Sequence, residues 1–198
     1  MWLKKLERII NMKSIIENEF DEHIKVIDST IKLVIDDIEN AAKICIECLK
    51  NGNKILICGN GGSAADAQHI AAEITGRYKT NRKGLAAIAI TTDSSALTAI
   101  ANDFGFDKVF ERQVQALAVP GDTLIGISTG GSSSNVINAL ILANNLNCKT
   151  IGFSGHNGGN FNSICDVNLI ANSTDTPRIQ ELHILIGHII CHLIDQAF

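Results

Sequence analysis

Aromatic side chains make up only 5% of this 198-residue chain, so its core has to be built from Ile, Leu, Ala and Val. That aliphatic bias suits parallel strands covered by helices on both faces. Proline occurs only as Pro120 and Pro177, each where an element is expected to begin. No Gly-, Ser- or Pro-rich linker and no internal repeat divides the chain, which argues for a single domain. No apolar run approaches the roughly 20 residues needed to cross a bilayer, so no membrane partner is expected. The first ten residues carry charge at both ends and lack a small-residue cleavage site, which argues against a signal peptide. Basic runs are missing too. Beyond Lys4-Lys5 there is only the scattered group Arg77, Lys79, Arg82 and Lys83, against a net charge of −4. A nucleic-acid partner leaves a basic stripe, so none is expected. The Arg77–Lys83 group reads as a solvated loop or as a weak attractor of a small anion.

Six cysteines (Cys45, Cys48, Cys58, Cys148, Cys165 and Cys191) are scattered without a framework. Cys45 and Cys48 form a C-x-x-C, the spacing of a redox or zinc pair. They lie in an aliphatic helical run with no second pair at zinc-finger spacing, so they read as small buried thiols. A reducing, cytoplasmic location is expected.

What is present divides into two textures. From Met12 to about Asn51, Ile15, Ile16, Phe20, Ile24, Ile27, Ile31, Val34 and Ile35 recur at helical steps, with a second helix expected to start at Asp36-Asp37. Residues 1–51 read as a helical arm that packs on the domain or on another subunit, and residues 1–11 as a native start or an extension before Met12. From Gly52 to Phe198, short apolar runs alternate with helical stretches. Strands are expected at Lys54–Cys58, Ala86–Ile90, Thr123–Ile127, Lys149–Phe153 and Val167–Ile170. Helices are expected at Ser63–Gly76, Asp93–Ala101, Asp107–Leu117, Ser132–Leu146 and Arg178–Asp195. Such alternation is the pattern of an α/β, doubly wound parallel sheet.

In an open parallel sheet, ligands sit beyond the carboxyl ends of the strands. Two strand ends here are rich in Gly and Ser. Asn60-Gly61-Gly62-Ser63 leads from the first strand into a helix, and Ser128-Thr129-Gly130-Gly131-Ser132-Ser133-Ser134 does the same after the third. Glycines bring backbone N–H groups close to an anion, and a helix N-terminus adds a favourable dipole. Either loop alone reads as a capped turn; two on neighbouring strand ends suit a phosphate monoester. Neither matches G-x-G-x-x-G or the Walker A pattern, and no lysine closes either loop, so a nucleotide is not expected.

His69 and Glu73 are four apart on one helical face, a spacing that serves a metal, an acid–base pair, or a plain surface pair. The last helix carries Gln180, Glu181, His183, His188 and His192 in an otherwise apolar run. Unpartnered polar groups there cost on the order of 1–3 kcal/mol each, so a polar site or a subunit interface is expected. Gln180 and His188 stand eight residues apart, about 12 Å of helix. One ion can hold both through long side chains or a local irregularity; alternatively, one group comes from a neighbouring subunit.

Several stretches taken together resemble the phosphoheptose isomerase branch of the sugar-isomerase (SIS) family. They are the run Gly59 to His69, Ala72-Glu73-Ile74-Thr75-Gly76-Arg77-Tyr78, Asn102-Asp103-Phe104-Gly105-Phe106, Gly126-Ile127-Ser128-Thr129, and Arg178-Ile179-Gln180-Glu181-Leu182-His183 on to His188. The resemblance implies a five-stranded SIS fold and a homotetramer with sites between subunits. It implies isomerisation of sedoheptulose 7-phosphate to a manno-heptose 7-phosphate, feeding activated heptose for bacterial surface glycans such as lipopolysaccharide and capsule. It places one zinc per subunit on His69, Glu73, Gln180 and His188, with Glu73 as base and His188 as acid. Substrate contacts are implied at Asn60, Gly61, Gly62, Ser63, Glu73, Asn102, Asp103, Ser128, Thr129, Gly130, Ser133 and Gln180. The family's phosphate loop usually reads Ser-Thr-Ser-Gly; Gly130 stands here at the third position, and one hydroxyl is replaced by a bare backbone N–H. Two other readings remain: an isomerase of another phosphosugar, and a non-catalytic SIS protein that binds a phosphosugar or a protein partner.

Overall fold

The computed structural model describes the chain from Trp2, with side chains from Met12 onward. The question of whether Met1–Asn11 is an extension lies outside the described residues. The first element, α1, is a single helix over Trp2–Lys50. The second helix expected at Asp36-Asp37 does not separate from it. Neither Pro nor Gly interrupts that stretch; Asp36 is exposed and Asp37 half-buried beside the packed face, so the ladder of backbone hydrogen bonds continues. The helix ends where Gly52 adopts φ 79°. There Gly52 N–H donates to Leu49 O at 3.1 Å and Asn53 N–H to Cys48 O at 3.1 Å, the paired bonds of a Schellman cap.

Five strands follow: β1 (Ile55–Gly59), β2 (Ala87–Ala89), β3 (Thr123–Ile127), β4 (Lys149–Ser154) and β5 (Val167–Ile170). All pair in parallel, in the order β2-β1-β3-β4-β5. The helices between them are α2 (Gly62–Thr75), α3 (Ser94–Phe104), α4 (Val109–Leu117), α5 (Ser134–Asn145), α6 (Phe161–Ile164) and α7 (Thr176–Asp195), with a 3₁₀ turn at Phe106–Lys108 before α4. The four-residue α6 was not expected; it is too short to show a period. β2 is shorter than expected because this edge strand pairs with β1 at only three positions.

The sheet has two apolar faces. Ile55, Ile57, Ile125, Ile127, Ile151 and Phe153 point toward α1, α2 and α7. Leu56, Cys58 and Leu124 point toward α4, α5 and α6. Alternate residues of one strand therefore feed opposite layers, which is why the central strands carry no polar face. The C-x-x-C pair is buried in the first layer, where burial pushes both thiols above their ordinary range.

One carboxylate ties the amino ends of the central strands. Asp122 accepts from Lys54 N–H at 3.0 Å, from Val119 N–H at 2.8 Å, and from the Lys54 ammonium. Burial pushes its carboxyl up, yet these donors outweigh burial and hold it below the usual carboxylate range. Asp122→Ala strands the lysine and leaves two N–H groups unpaired. It is expected to cost about 3 kcal/mol, measured as a lower urea midpoint at unchanged slope.

Candidate active site

The strand order reverses between β1 and β3, and both glycine loops leave the sheet at this point, where open parallel sheets bind ligands. The loops are held to each other by a reciprocal amide pair. Asn60 Nδ2 donates to Asn135 Oδ1 and Asn135 Nδ2 to Asn60 Oδ1, both at 2.9 Å. Asn135 is buried and its Oδ1 also accepts from Val136 N–H. Asn60, expected as a substrate contact, has its amide paired with Asn135. Asn135 itself was missed, although it closes the Ser-rich loop.

Gly61 turns with φ 56° into the N-terminus of α2. Gly62 lies under the Gln180 amide, where an added Cβ would meet Nε2 at 2.5 Å. Ser63 is buried. On the second loop, Ser128 and Ser133 share a hydroxyl–hydroxyl hydrogen bond at 2.9 Å. Thr129 and Gly130 are partly exposed beside them, and Gly131 takes φ 61° with its Cα packed against Gly158. Asn102 and Asp103 stand apart from both loops in their bonding. They are exposed on the last turn of α3, where Asn102 Nδ2 donates to Asp103 Oδ1 at 2.8 Å.

Further along α2, His69 and Glu73 meet a third group. His69 Nε2 is 3.2 Å from Glu73 Oε1, and His188 Nε2 on α7 is 3.0 Å from His69 Nε2. The three donor atoms lie within 4.8 Å of one another. A tetrahedral ion bound at about 2.1 Å needs its ligand atoms roughly 3.4 Å apart, so the residue types and spacing of this His-Glu-His set suit an ion such as zinc. His188 thus reaches the other two within one chain. Gln180 does not join them: its amide lies against Gly62, about 12 Å earlier along α7.

The remaining polar residues of α7 have separate employments. His183 is a core histidine, with Nε2–H donating to Ser154 O at 2.9 Å. Glu181 accepts from His23 Nδ1–H at 2.6 Å and from Arg178, joining α7 to the arm. His192 flanks Tyr78 at 6.2 Å. Arg82, expected in a solvated loop, is instead buried against Asp195. Its partner lies 113 residues away in sequence, beyond the reach of any local pattern. Asp66, one turn before His69, was also missed. Burial raises its carboxyl to about 6, His69 opposing, and among the described residues Oδ2 has no hydrogen-bond partner.

The SIS domain family model matches residues 20–155, and it meets a chain whose fold and loops are those described above. The chain belongs to the SIS-domain family. Within that family it stands with the phosphoheptose isomerases. It is 63% identical to the phosphoheptose isomerase of Aliarcobacter butzleri over 93% of this chain and 97% of that one. It is 57% identical to that of Helicobacter hepaticus over 93% of each. Among solved structures, the phosphoheptose isomerase of Neisseria gonorrhoeae superposes with a TM-score of 0.88 at 46% identity, covering 93% of this chain and 99% of that one. Among the described residues, no helix is long and apolar enough to cross a membrane.

His183 gives the SIS fold of this chain a pH signature. Burial drives its imidazole from 6.5 down to about 4, the hydrogen bond to Ser154 opposing. Between those values the unfolded chain takes up a proton that the folded chain refuses. Stability is therefore expected to fall as pH drops from 6.5 toward 4, by on the order of 3 kcal/mol in full. Urea unfolding of the wild type and of His183→Gln at pH 7 and pH 4.5 measures this share; the variant's loss on acidification should be smaller.

Proposed function

We propose that this chain converts sedoheptulose 7-phosphate to D-glycero-D-manno-heptose 7-phosphate through an enediol. The observation that carries the reading is the convergence of His69, Glu73 and His188. Two of the three, His69 and Glu73, stand on the helix that begins at the first glycine loop, and His188 joins them from α7. Ser63 and His69 are separated by about 9 Å of helix, a span that an open-chain seven-carbon phosphosugar bridges. The phosphate lies among the N–H and hydroxyl groups of the two loops, and C1 and C2 reach the Glu73–His188 end.

The Glu73 carboxylate takes a proton from C1 of the ketose, and the electron pair forms the C1–C2 double bond. His188 gives a proton to the C2 carbonyl oxygen, producing the enediol. Return of a proton to C2 and loss of the O1 proton then give the aldehyde. No electron acceptor and no second substrate enter. His69, Glu73 and His188, with Gln180 supplied by a neighbouring subunit, would hold a zinc ion, which would polarise and orient the sugar oxygens.

A shared Gln180 needs an oligomer, and the arm supports one. Ile16, Phe20, Ile24, Ile31 and Ile35 form an exposed stripe at helical spacing on α1, and Leu185, Ile189 and Leu193 form another on α7. Together these make larger apolar faces than single exposed residues, the mark of an association surface. We assign them to a homotetramer, with residues 1–51 as its arm and 52–198 as the catalytic domain. The cytoplasm is its location, and its product serves activated heptose for lipopolysaccharide or capsule.

Turnover of sedoheptulose 7-phosphate, followed by NMR as the aldose appears, tests the substrate. A folded, zinc-loaded protein that leaves this ketose unchanged contradicts the reading and points to another phosphosugar or a regulatory SIS protein. Glu73→Gln is expected to lower kcat at least about 10²-fold while the oligomer and the melting temperature are retained. Dialysis against a chelator is expected to remove activity, and added zinc to restore it.

A further inference from the structure

Residues 76–86, between α2 and β2, contain no helix or strand, yet a buried node holds the segment down. Asp195, at the end of α7, accepts from Lys79 N–H at 2.7 Å, Thr80 N–H at 2.8 Å and Arg82 Nε–H at 2.7 Å. Arg82 in turn donates to Ile74 O at 2.9 Å, which also accepts from Leu85 N–H at 3.2 Å, and to Glu73 O at 3.2 Å, carbonyls in the last turn of α2. Both charged side chains are almost wholly buried. Burial pushes the Asp195 carboxyl up, but the Thr80, Lys79 and Arg82 donors outweigh it and hold the group ionised below the usual range. The node therefore joins the last turn of α7 to the last turn of α2 through this segment.

Its consequence lies at Tyr78, which the node holds over the site. The Tyr78 ring stacks on the His188 imidazole, with centroids 5.3 Å apart and planes 22° from parallel. Among the described residues, the Tyr78 hydroxyl has no hydrogen-bond partner, so the ring face is what the arrangement uses. His188 is otherwise met by His69, through Nε2 at 3.0 Å and edge-to-face with ring centroids 5.0 Å apart. Contact along one edge leaves the imidazole face free to tilt; a flat ring against that face removes the freedom.

We propose that Tyr78 is a positioning residue, fixing the plane of the His188 imidazole, and that the Arg82–Asp195 node exists to hold it there. The proposal rests on the reading of His188 as the acid. It assigns catalytic importance to the aromatic face of Tyr78 and none to its hydroxyl.

Tyr78→Phe, Tyr78→Leu and Tyr78→Ala, each as the full-length zinc-loaded protein, separate ring, bulk and hydroxyl. Phe is expected to keep kcat within about threefold, whereas Leu and Ala lose about tenfold or more with KM little changed. The His188 imidazole proton signals provide a readout independent of turnover. Ring-current shielding from Tyr78 should move them upfield in the wild type and in Phe, and that displacement should vanish in Leu and Ala. Wild-type kcat in the Leu variant, or a Phe variant as impaired as Ala, overturns the proposal; should Ala not fold, Leu and Phe decide it. If His188→Gln, run in parallel, keeps full activity, the assignment of the acid fails. The shielding pattern then still tests whether Tyr78 orients that ring.

Discussion

Everything at the site depends on how closely α7 lies along α2. The contact point is Gly187, where an added Cβ would come within 2.6 Å of Ile70 Cδ1. A glycine inside a helix costs about 1 kcal/mol relative to alanine, and here it removes the one side chain that would hold the helices apart. The next residue along α7 is His188, and the residue before Ile70 is His69. The approach that Gly187 permits is thus what brings two imidazoles from distant parts of the sequence to 3.0 Å. The two helices run in the same direction, so their amino ends meet at Gly62 and Gln180 while their carboxyl ends meet at the Arg82–Asp195 node. The two glycine loops, the His69–Glu73–His188 trio and Tyr78 follow one another along the line where these helices meet.

The fold was legible because its strands are short, largely apolar and separated by amphipathic helices, and both glycine loops marked the strand ends at the point where the strand order reverses. Where the reading went astray, the cause was a local pattern with a distant partner. Arg82 looked solvated because nothing near it in sequence is acidic; its partner is at the far end of the chain. Asp36-Asp37 looked like a helix start, but neither residue interrupts a helix held in place by the buried Val34, Ile38 and Ala41 around them. Asn135 and Tyr78 carry no chemistry of their own and act through neighbours that only the fold supplies.

The histidines of α7 show how spacing can be read further. His183 and His188 differ by five residues, which puts them well over a quarter turn apart on the helix, so they cannot share one face. One is core and one is site. His188 and His192 differ by four and do share a face, and both stand by Tyr78. The same arithmetic that keeps Gln180 from His188 leaves the chain with three of its four expected ligands together. In the proposed tetramer, a neighbouring chain seated on the exposed apolar stripes of α1 and α7 would bring the fourth.

The central claim is that one chain by itself assembles His69, Glu73 and His188. Co-refolding two inactive variants, Glu73→Gln and His188→Gln, into mixed oligomers tests it most directly. With the trio contributed by one chain, every site in the mixture still carries one defect, and the account predicts that activity stays at the level of the separate variants. Recovery of a substantial share of wild-type turnover on mixing would show that Glu73 and His188 act from different chains, and would contradict it.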